Sequence, residues 1–341
     1  MKNRLVNGLT AFVNLTPKRI VQRICGNITP IFMLHRMVNT NPRSQEKELQ
    51  HIEWCFKYIR KHKYQPITLN QLSKAYVDGQ QLPPKSVVFT LDDGFYDQHE
   101  IAAPLFNKYE LPYTCFVITD FLDGKLWPWD DQISYILSNT KKTVINTGLP
   151  DGQPLILDFS QFESVTQMID YLRGSIKRRP QEHLYAWLTK LYLAAEVDIP
   201  SVPPENFRPM SWDQAQQLIQ QGHDIAPHTK THRILSQLSD LDAKDEIEGS
   251  FKRVNEKLKG ASRTFAYPTG RPQDYSDREI KLLKQVDASS SVITTPNYSR
   301  IQDPIFELPR YAMPHERFDF VQYLSFFDEF KRKLLRFRYS D

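Results

Sequence analysis

The chain lacks the marks of several common protein classes. Its 341 residues include only three cysteines, Cys25, Cys55 and Cys115. They are odd in number, far apart and without a Cys-x-x-Cys, so neither a disulfide framework nor a thiolate zinc site is indicated, and a reducing compartment fits best. No apolar stretch approaches the roughly 18 uninterrupted residues of a membrane span. The apolar stretch at the N-terminus is broken by Asn7 and Asn14 with no small-x-small cleavage site after it, so no signal peptide is expected. The expected location is cytoplasmic, including the inner face of the membrane. Charge of one sign is not in excess: 44 Lys and Arg against 40 Asp and Glu leave a formal +4. Nucleic acid is therefore not an expected partner. Internal repeats and low-complexity segments are missing too, and the 23 prolines are scattered rather than pooled in a linker.

What recurs instead is a set of short apolar runs rich in Val, Ile, Phe and Thr: Pro30 to Leu34, Ser86 to Leu91, Thr114 to Ile118, His223 to Pro227, Thr264 to Tyr267 and Ser290 to Thr294. They alternate with amphipathic stretches, Gln45 to Lys61, Gln98 to Tyr109, Trp212 to Gln221, Asp240 to Leu258 and Ser276 to Gln285. Strands alternating with helices predict an α/β fold around a mostly parallel sheet. Ser211 stands where a helix N-cap belongs. The rhythm breaks at about 125–209, which carries helical periodicity (Ile169, Leu172, Ile176; Leu184, Trp187, Leu188, Leu191) and hardly any strand signal. That predicts a helical insertion with its own packing, overhanging the site. Residues 1–29 read as an amphipathic segment and 316–341 as a basic amphipathic helix, with 30–315 as the body of the fold. Packing against the body is the favoured reading for both ends, and peripheral membrane contact through these basic termini is the minority one.

Two clusters carry chemistry. Thr90-Leu91-Asp92-Asp93-Gly94 ends an apolar strand in two carboxylates and a glycine turn, at the strand end where barrel enzymes place their sites. Adjacent side chains on a strand point in different directions, so one acid can hold a metal while its neighbour handles a proton. By itself the trio also fits an ordinary exposed turn. The second cluster is His228-Thr229-Lys230-Thr231-His232. If the chain turns helically after Pro227, the two imidazoles lie one turn apart on one face and reach one cation; with one Asp they leave a position for water. Each motif follows an apolar strand, and their coincidence is the signal.

With these motifs the chain is similar to the polysaccharide deacetylases that carry the NodB-homology domain, carbohydrate esterase family 4. The family's [TS]-F-[DE]-D-G motif resembles residues Thr90 to Gly94, with Leu91 for the Phe, and its H-[ST]-x-x-H motif is matched by His228 to His232. Phe265-Ala266-Tyr267-Pro268-Thr269-Gly270 resembles the F-A-Y-P-x-G form of one branch. Ser211-Trp212, Gly222 to Ile225, Leu235 and Leu238 are similar to flanking family positions. The resemblance implies a distorted (β/α) barrel of the NodB type with about seven strands. It implies that Asp93, His228 and His232 bind a divalent metal, most plausibly Zn2+ with other first-row metals open, and that Asp92 is the general base. Two departures follow. Ala266 stands where many members carry an Arg that orients the base, and Arg310 in Glu307-Leu308-Pro309-Arg310 is the expected substitute. No late Leu-x-His motif is present, and His315 is a weak candidate for its acid. Ile31-Phe32-Met33-Leu34-His35-Arg36-Met37 resembles the early Y-H-x-[VI] segment of the biofilm poly-N-acetylglucosamine deacetylases, which makes His35 the expected general acid.

The implied reaction removes an N-acetyl group from an amino sugar such as N-acetylglucosamine in a polysaccharide, oligosaccharide or lipid-linked saccharide, so the expected partner is an N-acetylated glycan or glycolipid. Tyr267 and Pro268 are expected near substrate, with a backbone N–H near Tyr267 on the oxyanion. Trp127-Pro128-Trp129-Asp130 resembles a W-W-D segment of related members, which makes Trp127 and Trp129 candidates for sugar stacking against the alternative of packing. His223 is expected to be structural. Competing readings are an O-acetyl esterase or cyclic-amide hydrolase on the same scaffold, and a catalytically silent sugar-binding module. Asp92 beside a full ligand set argues against silence.

Overall fold

The structure is a computed structural model and describes residues 28–37 and 42–326, with Gly8 and Glu329. The amphipathic segment expected at residues 1–29 lies almost wholly outside the described residues, with Cys25, and so does the stretch from 327 on apart from Glu329. Of the expected C-terminal stretch, Arg317–Leu324 is a helix. Among the described residues no helix is long and apolar enough to cross a membrane.

Eight short strands form the staves of a barrel: β1 Ile31–Leu34, β2 Ser86–Asp93, β3 Thr114–Val117, β4 Asp224–Pro227, β5 Thr264–Ala266, β6 Ser290–Ile293, β7 Leu308–Pro309 and β8 Tyr311–Ala312. All pair in parallel, β8 with β1, β1 with β2, β2 with β3 and β3 with β4, then β5 with β6 and β6 with β7. Strands β7 and β8 are two halves of one stave that breaks at Arg310, so seven staves go round. Between β4 and β5 the ladder is open and the two strands belong to separate sheets. There Ser262 N–H donates to Ile225 O at 2.8 Å.

Strand alternation explains the interior. Ile31, Val88, Phe116, Ala226, Ala266, Val292 and Leu308, one from each stave, are fully buried in a single apolar cluster. Leu69, Leu72 and Tyr76 join it from the helix Leu69–Val77, which is capped by Thr68 and plugs one end. Residues of opposite parity, such as Phe32, Phe89, Cys115, Val117 and Ile225, pack outward against the helices in a larger cluster. This separation into an inner and an outer apolar layer is what near-continuous apolar strands between covering helices imply.

The insertion differs from expectation in one respect. Its helices are α1 Trp129–Asn139, α2 Val165–Ile176 and α3 Leu184–Ala194, but Val144–Gly148 and Pro154–Asp158 form an antiparallel hairpin. Only alternate residues there, Ile145, Leu155 and Leu157, are buried, so the strand signal is short and weak, although Pro150-Asp151-Gly152 between them is turn chemistry. The helical apolar stripe read from the sequence is buried throughout, and it shares one cluster with the outer layer of the barrel rather than a separate core.

Gly94 is required at the mouth. It follows Asp93 (φ 87°) with φ 85° of its own, and a Cβ there would lie 2.8 Å from Leu122 Cδ1 and 3.1 Å from Val117 Cγ1. Gly94→Ala is expected to lower the unfolding free energy by about 1–3 kcal/mol, the cost of a left-handed non-glycine residue. Urea unfolding measures it, and an unchanged midpoint would contradict this backbone geometry.

Candidate active site

The parity that buries Val88 also turns Thr90 and Asp92 into the barrel. Asp92 is buried and meets Arg310, whose Nη1 and Nη2 donate to its two carboxylate oxygens at 2.7 and 2.8 Å. The guanidinium is itself fully enclosed, donating also to Thr90 Oγ1 at 3.0 Å and lying over the Phe116 ring. Burial pushes the Asp92 carboxyl up, but the charge and hydrogen bonds of Arg310 outweigh it and hold the group down at about 2. Arg310 enters where the last stave breaks, and Ala266, at the place of the family's Arg, is a small buried residue of the same interior. The expected guanidinium thus reaches Asp92 from a different strand.

Asp93, at the strand end with its positive φ, points elsewhere. One of its oxygens lies 3.6 Å from His228 Nε2 and 3.5 Å from His232 Nε2. Ligand atoms of all three buried groups lie within 4.8 Å of one another. The histidines do not get there by a helical turn. Residues 228–234 form an irregular loop with positive φ at Thr229 (65°) and His232 (59°), and the rings meet with centroids 5.0 Å apart. The buried carboxylate of Glu246, in helix Asp240–Lys257, holds that loop. It accepts from Lys230 N–H (2.8 Å), Thr231 N–H (2.9 Å), the Thr231 hydroxyl and the Arg233 guanidinium.

The electrostatics suit a cation. His228 donates from Nδ1 to Ala266 O at 2.7 Å, which leaves Nε2 with its lone pair free. Burial keeps both imidazoles neutral, His228 down at about 3. Burial together with Asp130 and Asp92 pushes the Asp93 carboxyl well up, and the Asp93 oxygen facing the histidines is buried without a hydrogen bond among the described residues. Two neutral imidazoles and an unsatisfied carboxylate round one point are the donor set of a divalent metal site.

His35 follows β1, and its Nε2 lies 3.9 Å from Asp92 Oδ2, the ring 48% exposed at the barrel mouth. A residue with no sequence signal ties it to Asp92. Gln98, fully buried in the π-helical turn Gln98–Ala102, donates from its amide to His35 O at 2.7 Å and to Asp92 O, while its own oxygen accepts from Gly94 N–H at 3.2 Å and Cys115 at 3.1 Å. Only an amide saturates that set of two acceptors and two donors. The weaker candidate His315 lines a cavity of about 310 Å³ beside His35, with Glu48, His51 and Met313.

Other candidates are placed differently. Trp129 is fully buried, its Nε1 donating to His232 O at 3.0 Å, and Trp127 packs on Tyr135 and Phe207. Their faces are taken up by packing, so neither offers the stacking surface expected for a sugar. Tyr267 is buried as well, stacked on Tyr275 with its hydroxyl on Phe306 O at 3.2 Å, and Pro268 is buried beside it. Any contact they make with substrate is through backbone. His223 is structural, as expected: it accepts from Tyr113 N–H at 3.3 Å under the Tyr113 ring.

Comparison with known proteins bears on part of this chain. Residues 176–289, which hold the histidine loop and Phe265 to Gly270, match the family model described as polysaccharide deacetylase. Among curated proteins, a poly-beta-1,6-N-acetyl-D-glucosamine N-deacetylase of Escherichia coli is 29% identical over 80 residues, 24% of this chain. The match spans only 12% of that relative's length. Among solved structures, the deacetylase PplD of Streptococcus pyogenes, in complex with acetate, superposes with a TM-score of 0.53 at 16% identity, over 85% of this chain and 93% of that one. IcaB from Ammonifex degensii gives 0.53 at 14%, over 88% and 97%. At such identities these two show the fold, a NodB-type distorted barrel.

Because Arg310 and Asp92 are both enclosed, removing one partner strands a charge. Arg310→Leu is expected to destabilise the metal-free protein by about 3–5 kcal/mol. Pairing it with Asp92→Asn should recover a substantial part of that loss in a double-mutant cycle of urea unfolding. Additive losses would contradict the pair.

Proposed function

We propose that the chain is a metal-dependent hydrolase that removes the N-acetyl group from an amino sugar in a glycan or glycolipid. The observation that carries this reading is the meeting at one barrel mouth of the Asp93, His228 and His232 donor set with the Asp92–Arg310 pair and His35. The match of 176–289 to a deacetylase family and the substrate printed for the Escherichia coli relative support N-acetylglucosamine as the sugar.

Asp93, His228 and His232 would hold the cation, and a mixed imidazole and carboxylate set favours zinc. When bound, a divalent cation supplies Lewis acidity, lowering the pKa of water and polarising the acetyl carbonyl. Asp92 takes a proton from the attacking water as the new C–O bond forms. The Arg310 guanidinium fixes the orientation of Asp92 and keeps it ionised. The backbone N–H near Tyr267 stabilises the oxyanion. His35 gives its proton to the amine as the C–N bond breaks, leaving acetate and a free amino sugar. Gln98 keeps acid and base in register by holding the carbonyls of both residues.

Incubating the protein with N-acetylhexosamine glycans and lipid-linked precursors, with and without zinc, and reading acetyl loss by mass spectrometry tests the proposal. Chelation is expected to abolish activity and zinc to restore it, and Asp92→Asn is expected to lower kcat about 10²–10⁴-fold. Full activity in either chelated protein or Asp92→Asn sinks the mechanism. Turnover of O-acetylated but not N-acetylated glycans would replace the reaction with ester hydrolysis.

A further inference from the structure

His232 lacks the support its partner has. Where His228 Nδ1 is fixed by Ala266 O, His232 Nδ1 is buried without a hydrogen bond among the described residues. The group that faces it is Asp130, whose buried Oδ1, equally without a hydrogen-bond partner, stands 3.8 Å away. Asp130 lies in the first turn of α1, at the opening of the insertion. Its own backbone carbonyl is gripped by Arg173 of α2, which donates from Nε at 2.9 Å and Nη2 at 2.7 Å. The rest of the insertion reaches the same loop. Trp129 Nε1 donates to His232 O at 3.0 Å, Tyr185 Oη to Thr231 O at 2.7 Å, and Ile234 N–H donates to Gln181 Oε1 at 2.7 Å.

We propose that Asp130 is a positioning residue of the metal centre, and that the insertion forms its outer half by holding the His232 segment. The proposal rests on the metal reading above. Asp130 faces Nδ1, the side of the ring away from Nε2 and Asp93, so it acts through His232 and not as a fourth ligand. The separation exceeds a hydrogen bond, and about 1 Å of closure brings it within range. A carboxylate on the far nitrogen fixes the tautomer with Nε2 unprotonated and makes that nitrogen a better donor. The barrel orients the first histidine through its own strand β5; the second, on a loop that leaves the barrel, is oriented by the insertion.

The test measures zinc affinity of the full chain by competition with a chromophoric chelator, beside the melting temperature in excess chelator. Asp130→Asn and Asp130→Ala are expected to weaken zinc binding about 10–100-fold, the usual cost of a lost outer partner, with the metal-free melting temperature unchanged. Trp129→Phe, which removes the hydrogen bond to His232 O while leaving an aromatic ring in place, is expected to weaken zinc in the same direction. Zinc affinity within twofold of the parent in both Asp130 variants overturns the proposal, whatever the melting temperature does. A parent chain that binds no zinc overturns the metal reading itself, which separates the two failures.

Discussion

A guanidinium and a carboxylate enclosed together in a barrel of apolar side chains set the terms for the rest of the molecule. Arg310 is fully enclosed and Asp92 nearly so, and each is tolerable only because the other is in bidentate contact. That contact requires the last stave to break at residue 310, one half pairing β6 and the other β1. The barrel consequently surrounds the pair, and the Asp92 carboxylate is held in one orientation.

The cluster of Asp93, His228 and His232 is built differently. Asp93 leaves the strand by a left-handed turn, one residue past the pair, and the histidines come from a loop with no regular structure. A loop of that kind has little intrinsic preference for one conformation, so the precision has to be imposed from outside. Glu246 does this from a covering helix through two backbone N–H groups, Ala266 from the neighbouring strand, and Trp129, Gln181 and Tyr185 from the insertion. The insertion shares its apolar cluster with the barrel. It is therefore a rigid part of the site's wall and not an appendage. Gln98 serves the other side of the mouth in the same way, and the π-helical turn in which it sits turns its amide toward both carbonyls.

Period and spacing in the sequence determined a good deal. Alternation of short Val- and Ile-rich runs with amphipathic stretches was sufficient for an α/β fold around a mostly parallel sheet, because strand and helix periods are local consequences of backbone geometry; the barrel came with the family resemblance. Parity along β2 placed Asp92 inside and separated its task from that of Asp93. Two acids and two histidines, each pair at the end of an apolar strand, pointed to one mouth, and the family motifs assigned them to it. The stripe of the insertion was legible for the same reason, while its hairpin, with only alternate positions buried, was not.

Only the tertiary structure decided the rest, since it depends on distances between segments remote in sequence. It brought Arg310 to Asp92 across the barrel, showed that His228 and His232 converge through a loop and not a helical turn, and buried Trp127 and Trp129, whose aromatic character alone fits stacking and packing equally well. Asp130 closed the W-W-D segment in the sequence without a role of its own, and Gln98 and Glu246 looked like ordinary helix residues. Periodicity specifies which face of an element is buried; it is silent on which buried polar atom will find which partner, and that pairing is what makes the mouth of this barrel a site.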